Sequence, residues 1–207
     1  MASNRRELQY KVLLIGDPAA GKSSIVSRYV HQVFSTGYKV TIGVDFSLKV
    51  LQYDDSTSVR LQIWDIGGQD KSGTMTRVYF KEARGALIVF DVTRPSTFES
   101  VQRWKADLDS KVFLPNGDHI PAVLLANKCD LVNQKTLELL DKLDDYCQKN
   151  GFVGWFRTSA KEGFGIDESV RKLLSKTIES DELEAQPTRN DAVNLAEPAG
   201  QSNGHCC

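Results

Sequence analysis

Cysteine is scarce, with four residues in a chain of 207, and none of them stands at metal-ligand spacing. Cys129 and Cys147 are isolated, which excludes a disulfide scaffold and fits a reducing, cytosolic compartment. Excess charge of either sign is also missing: 26 Lys and Arg face 27 Asp and Glu, so nucleic acid is not an expected partner. No apolar run approaches the roughly 20 residues that span a bilayer. The polar start, Met1-Ala2-Ser3-Asn4-Arg5-Arg6-Glu7, has no apolar segment and does not read as a secretory signal. Of the three histidines, His31 and His119 carry no partner signature and read as surface residues. No internal repeat is visible. What is present is 41% apolar residues, enough for one core, in a length that fits one domain plus a tail.

The most specific stretch is Gly16-Asp17-Pro18-Ala19-Ala20-Gly21-Lys22-Ser23, the pattern G-x-x-x-x-G-K-S. A short apolar run, Tyr10–Ile15, precedes it, and Ile25, Val26 and Tyr29 follow at helical spacing. A chance glycine-rich turn is the competing reading, and the strand-to-helix context weighs against it. Small residues let the backbone curl so that successive N–H groups face a phosphate oxygen. The helix start adds partial positive charge. Lys22 supplies a full charge, and the Ser23 hydroxyl can ligate Mg²⁺.

Further along, Val44–Val50 and Val59–Trp64 alternate around the turn Asp54–Ser58 and read as a hairpin. Gly85–Phe90, Ala122–Ala126 and Phe152–Phe156 read as buried strands. Ser96-Thr97-Phe98-Glu99 matches a capping box, opening a helix with Phe98, Val101, Leu108 and Val112 on one face. A Leu-rich helix is expected over Leu137–Tyr146, and a last one around Ile166, Val170, Leu173 and Leu174. Strands alternating with helices predict an α/β fold: one six-stranded, mostly parallel sheet with helices on both faces. Residues 1–9 are expected to be flexible and 10–179 to form the domain. From about Ser180 the apolar residues thin out, so 180–207 is expected to be a disordered tail.

A phosphate loop alone does not choose a base. Asn127-Lys128-Cys129-Asp130 follows a buried strand, where open α/β sheets place ligands. A carboxylate there can accept two hydrogen bonds from the N1–H and 2-amino group of guanine. Adenine lacks that pair, and a buried carboxylate left unpaired costs about 1–3 kcal/mol. Lys128 can pack on the base, Asn127 can tie the loops, and Ser159-Ala160-Lys161 can offer an N–H to the guanine O6. The competing reading is an ordinary polar turn. A small P-loop kinase is also weighed, but it needs an ATP site and an Arg-rich lid.

With these elements in this order, the chain resembles the Ras-like small GTPases, and within them the Rab family, over Tyr10 to about Thr177. The resemblance implies a G domain that binds GTP or GDP with Mg²⁺ and hydrolyses GTP slowly without an activating protein. It implies a nucleotide-binding set of Asp17, Pro18, Ala19, Ala20, Gly21, Lys22, Ser23, Ser24, Phe34, Thr41, Gly68, Asn127, Lys128, Asp130, Ser159, Ala160 and Lys161. Ser23, Thr41 and, through water, Asp65 would hold Mg²⁺. Gly68 would meet the γ-phosphate, and Gln69 would orient the attacking water. Phe46, Trp64 and Tyr79 match an aromatic triad that effectors touch. By alternation alone, Trp64 points outward or lies under a neighbouring helix; the resemblance favours an interface. Trp104 and Trp155 read as packing residues, and Cys129 as a small buried filler.

Ile42–Phe46, Leu61–Asp65, Met75–Tyr79 and Leu108–Lys111 with Leu114–Gly117 resemble the Rab branch linked to melanosomes, other lysosome-related organelles and phagosomes. Three departures stand out: Gly67 where the family has Ala, Asp70-Lys71-Ser72 where it has Glu-Arg-Phe, and Pro18, which offers no N–H. They sustain a rival reading, a nucleotide-locked scaffold with negligible hydrolysis. The final residues, Cys206 and Cys207, match the Rab ending that carries two geranylgeranyl groups; a disulfide between neighbours would be strained. Also implied are an exchange factor, a GTPase-activating protein, an escort protein and a GDP-dissociation inhibitor. The resulting expectation is a place on the cytoplasmic face of a lysosome-related, phagosomal, late endosomal or Golgi-derived membrane, with a cytosolic pool bound to the inhibitor.

Overall fold

Strands that are apolar along their whole length need cover on both faces, and the sheet of this protein has it. The computed structural model describes residues 6–37, 39–68, 74–132 and 134–185. The elements run β1 (Arg6–Gly16), α1 (Lys22–His31), β2 (Val44–Gln52), β3 (Thr57–Ile66), α2 (Thr74–Phe80), β4 (Gly85–Asp91), α3 (Pro95–Glu99) and α4 (Val101–Asp109). They continue with β5 (Ala122–Asn127), a 3₁₀ turn (Cys129–Leu131), α5 (Gln134–Leu140), α6 (Leu143–Lys149), β6 (Gly154–Thr158) and α7 (Ile166–Ala185).

The six strands form one sheet in the order β2-β3-β1-β4-β5-β6. Every neighbouring pair is parallel except the β2–β3 hairpin. Alternation along β1 splits the core in two. Val12 and Leu14 join Ile25, Leu61, Val170 and Leu174 on one face. Leu13 and Ile15 join Phe90, Val101, Leu108 and Leu143 on the other. On β3, Val59, Leu61 and Ile63 are buried, as period two requires.

Boundaries differ from the sequence reading at several points. β1 begins at Arg6, inside the segment expected to be flexible, because residues 6–9 pair with Thr57–Arg60 of β3. The Ser96 capping box does not cap. Pro95 takes the first helical position, Arg94 stands before it, and the helix breaks again at Ser100. The expected Leu137–Tyr146 helix is two helices, α5 and α6. The last strand begins at Gly154, and Phe152 is buried in the loop before it. Finally, α7 runs to Ala185, past the expected boundary at Ser180. What positions the site is common to β1, β4, β5 and β6: their carboxyl ends, at Gly16, Asp91, Asn127 and Thr158, lie along one edge of the sheet.

Candidate functional site

The first wall of the site is the turn from β1 into α1. Gly21 has φ 97°, and a Cβ there would lie 2.2 Å from Asn127 Nδ2. Glycine therefore lets the Asn127 amide cross the turn and donate to the Ala20 carbonyl at 2.8 Å. Lys22 is buried and curls back, its Nζ donating to the carbonyls of Gly16 (2.8 Å) and Asp17 (3.1 Å). Burial lowers its pKa. The start of α1 has no side-chain cap and no acidic residue in its first turn, so its first N–H groups remain open to an anion.

Beside Lys22 three oxygens converge. The Ser23 hydroxyl lies 2.7 Å from the Thr41 hydroxyl and donates to Asp65 Oδ2, and Thr41 Oγ1 donates to the same oxygen at 3.3 Å. Asp65 is 1% exposed, burial raises its pKa, and its Oδ1 is buried without a hydrogen-bond partner. One carboxylate with an orphaned oxygen and two hydroxyls make an all-oxygen set, which suits a hard divalent ion such as Mg²⁺. Among the described residues no cluster of three His, Cys, Asp or Glu offers an alternative metal site.

At the far end, Asn127 closes β5, and Lys128 adopts the left-handed conformation at φ 65°. The Asp130 carboxylate accepts the Ser159 hydroxyl at 2.6 Å. Arg28 holds the facing loop, donating to the carbonyls of Ala160 (2.8 Å) and Lys161 (2.6 Å). Between the two ends lies a cavity of about 590 Å³. Pro18, Ala19, Gly21, Lys22, Ser23, Ser24, Phe34, Thr41, Gly68, Asn127, Lys128, Asp130, Ala160 and Lys161 line it. One space thus joins an anion cradle, an oxygen cluster and a carboxylate at the opposite end.

The Ras family model matches residues 11–179. The chain belongs to the Ras family. It is 57% identical to human Ras-related protein Rab-32 over 177 residues, 86% of this chain and 78% of that protein. It is 54% identical to Dictyostelium discoideum Rab-32A, over 87% of this chain and 83% of that one. Human Ras-related protein Rab-7L1 is 46% identical over 98% of each chain. Within the Ras family it therefore stands in the Rab branch with these relatives. As a Rab-type small GTPase of membrane trafficking it binds GTP and GDP, hydrolyses GTP and answers to regulators.

Several residues that the Ras-family resemblance singles out lie off the cavity. Ala20 is fully buried behind it. Ser159 reaches it only through Asp130. The Asp17 carboxylate turns away, accepting from Trp104 Nε1 at 2.9 Å and Arg103 at 3.1 Å. Trp104, read as packing, is thus a support of the phosphate loop as well as a core residue. Trp155 donates to Asp144 at 2.8 Å. Cys129 is only half-buried, not the buried filler expected. Phe46 packs edge-on to Trp64 at 5.9 Å, Tyr79 lies 6.5 Å from Trp64, and Lys11 Nζ sits 3.8 Å from the Trp64 ring. Trp64 is half-covered, between the two orientations weighed from sequence. Gln69, Cys206 and Cys207 lie outside the described residues, as do residues 70–72.

Asp91 and Arg94, which no motif marks, do not line the cavity but tie together the loops that do. Asp91, 1% exposed, takes Lys128 Nζ at 2.6 Å and Arg94 Nε at 2.9 Å on one oxygen, and Thr93 on the other. Arg94 also donates to the Pro18 carbonyl at 2.9 Å. Burial alone would raise the pKa of Asp91; Lys128 and Thr93 outweigh it and hold the carboxyl below its ordinary value. The carboxylate therefore ties the base-side loop to the phosphate loop. Its sequence signal was its place, an acid at the carboxyl end of a buried strand.

Proposed function

We propose that the cavity holds a guanine nucleotide with Mg²⁺ and that the chain is a membrane switch set by the state of that nucleotide. The carrying observation is the Asp130 carboxylate, fixed by Ser159 at the end of the cavity opposite Lys22. Asp130 would accept the two donors on the guanine edge, while Phe34 and the Lys128 stem cover the base. Lys22 and the N–H groups at the start of α1 would bind the β- and γ-phosphates. Ser23, Thr41 and Asp65 would hold Mg²⁺, which when bound neutralises charge on the phosphate oxygens. Gly68 would give its N–H to the γ-phosphate, and Gln69 would orient the attacking water.

Loss of the γ-phosphate removes a partner of Thr41 and Gly68, and the segments carrying them then relax. Effectors would read that change beside Phe46, Trp64 and Tyr79, an aromatic surface suited to binding. Attachment would come from prenyl groups on Cys206 and Cys207, since two chains anchor stably where one does not. Among the described residues no helix is long and apolar enough to cross a membrane. A lysosome-related or phagosomal membrane is the proposed address, with an exchange factor, an activating protein, an escort protein and a GDP-dissociation inhibitor as regulators. The test is a single-turnover assay on Mg²⁺–GTP-loaded protein. Unaided hydrolysis should run on the order of 10⁻⁴–10⁻³ s⁻¹, and Gln69→Leu should slow it further. Equal rates for the two proteins would favour a scaffold that does not use Gln69.

A further inference from the structure

Just before α1 the phosphate loop makes a tight turn. Ala20 N–H donates to the Asp17 carbonyl at 3.3 Å, which closes a turn over Asp17, Pro18, Ala19 and Ala20. Pro18 takes the second position and Ala19 the third, with φ 59°. A positive φ at the third position marks a type II turn, where glycine is the usual residue. Ala19 carries a Cβ, so left to itself it favours type I, in which that φ is negative. Proline suits the second position of both types. The two differ by reversal of the middle peptide, Pro18–Ala19. A contact from outside the turn must therefore hold that peptide in its reversed orientation.

Arg94 makes that contact. It donates to the Pro18 carbonyl at 2.9 Å while its Nε is fixed on Asp91 Oδ2 at 2.9 Å. The ends of the turn have other supports, Trp104 Nε1 on the Asp17 carboxylate and Asn127 Nδ2 on the Ala20 carbonyl. The middle peptide is trans, so its N–H points opposite to its C=O. Ala19 lines the cavity and Arg94 does not. With the Pro18 carbonyl turned out toward Arg94, the Ala19 N–H faces in, and it has no acceptor among the described residues. In a loop of this pattern, backbone N–H groups serve the α- and β-phosphates. We infer that Arg94 is a positioning residue for the phosphate loop: it holds the Pro18–Ala19 peptide so that the Ala19 N–H is donated to the β-phosphate. The inference rests on the reading of the cavity as a guanine nucleotide site. Released from Arg94, the peptide would reverse and turn the Pro18 carbonyl oxygen toward the phosphate, one acceptor facing another.

The experiment is a double-mutant cycle in the full chain, Arg94→Ala with Ala19→Gly, read as dissociation constants for GDP in saturating Mg²⁺. Arg94→Ala should weaken GDP by roughly tenfold, the scale of holding a residue with a Cβ at positive φ. Glycine adopts that φ freely, so adding Ala19→Gly should recover most of the loss. The gain from Ala19→Gly should thus be about tenfold larger without Arg94 than with it. If Arg94 serves only Asp91, the two gains are equal, and equal gains overturn the inference. Amide NMR of the unsubstituted chain gives a second arm that needs no variant to fold. In the GDP complex the Ala19 amide proton should lie well downfield, as one donated to a phosphate oxygen does. An Ala19 proton at an ordinary solvent-exposed position overturns the inference as well. If the unsubstituted chain binds no guanine nucleotide, the reading of the cavity falls first and takes the inference with it.

Discussion

Asp91 shows how a buried charge can stabilise when its partners are in place. Its pKa in the folded chain lies below the ordinary carboxylate value. A depressed carboxylate contributes stability above its unfolded pKa of about 3.9 and loses it as pH falls through the lower folded value. Asp91→Asn removes the anion facing Lys128 and Arg94, both of which keep some contact with water. It should cost about 1–2 kcal/mol near neutral pH, discounted for that exposure, and nucleotide release should quicken. Thermal unfolding at neutral pH and below pH ~4 should show the deficit shrinking on the acid side. Lys22, Asn127 and Asp130 were legible because each belongs to a contiguous motif whose chemistry is local. Arg94 was not, because its acceptor on Pro18 is 76 residues away in sequence, across the edge of the sheet.

The elements were readable wherever burial set the pattern. β4 and β5 are buried at every position, and their apolar runs place them almost to the residue. Ends were harder, because they depend on partners far along the chain. The scarcity of apolar residues assigned residues from Ser180 onward to the tail, yet Arg84 pairs with Asp181 and Glu184, and Arg6 with Glu182. Those cations sit on β1 and before β4 and hold the last turns of α7 on the domain, which no local rule reveals. The same limit explains α3: a Pro at the first helical position competes with the nearby S-x-x-E pattern and wins. Arg84→Ala leaves two carboxylates, a quarter exposed or less, that must turn toward solvent at the helix end, so the loss should be about 1 kcal/mol. For a domain of this size that lowers the melting temperature by about 2–4 °C, measured with nucleotide saturating. Faster hydrogen exchange should be confined to the end of α7.

At the scale of the whole molecule, the proposed switch divides labour between a nucleotide domain and an anchored end. Replacing Cys206 and Cys207 by Ser should leave nucleotide affinity unchanged and release the protein from membranes on fractionation of eukaryotic cells. Intact mass of the unsubstituted protein from those cells should show two added C₂₀ isoprenyl groups; a membrane-bound chain without them would refute the anchor. The central claim, that this cavity is built for guanine, is tested most directly by competition binding of ATP against labelled GTP in Mg²⁺. A site whose Asp130 needs the guanine donors should reject ATP by about 10⁴-fold or more. Asp130→Asn should lose much of the GTP affinity and gain xanthosine nucleotides, whose 2-oxo group meets an amide donor. ATP displacing GTP at comparable concentration from the unsubstituted chain would contradict the account.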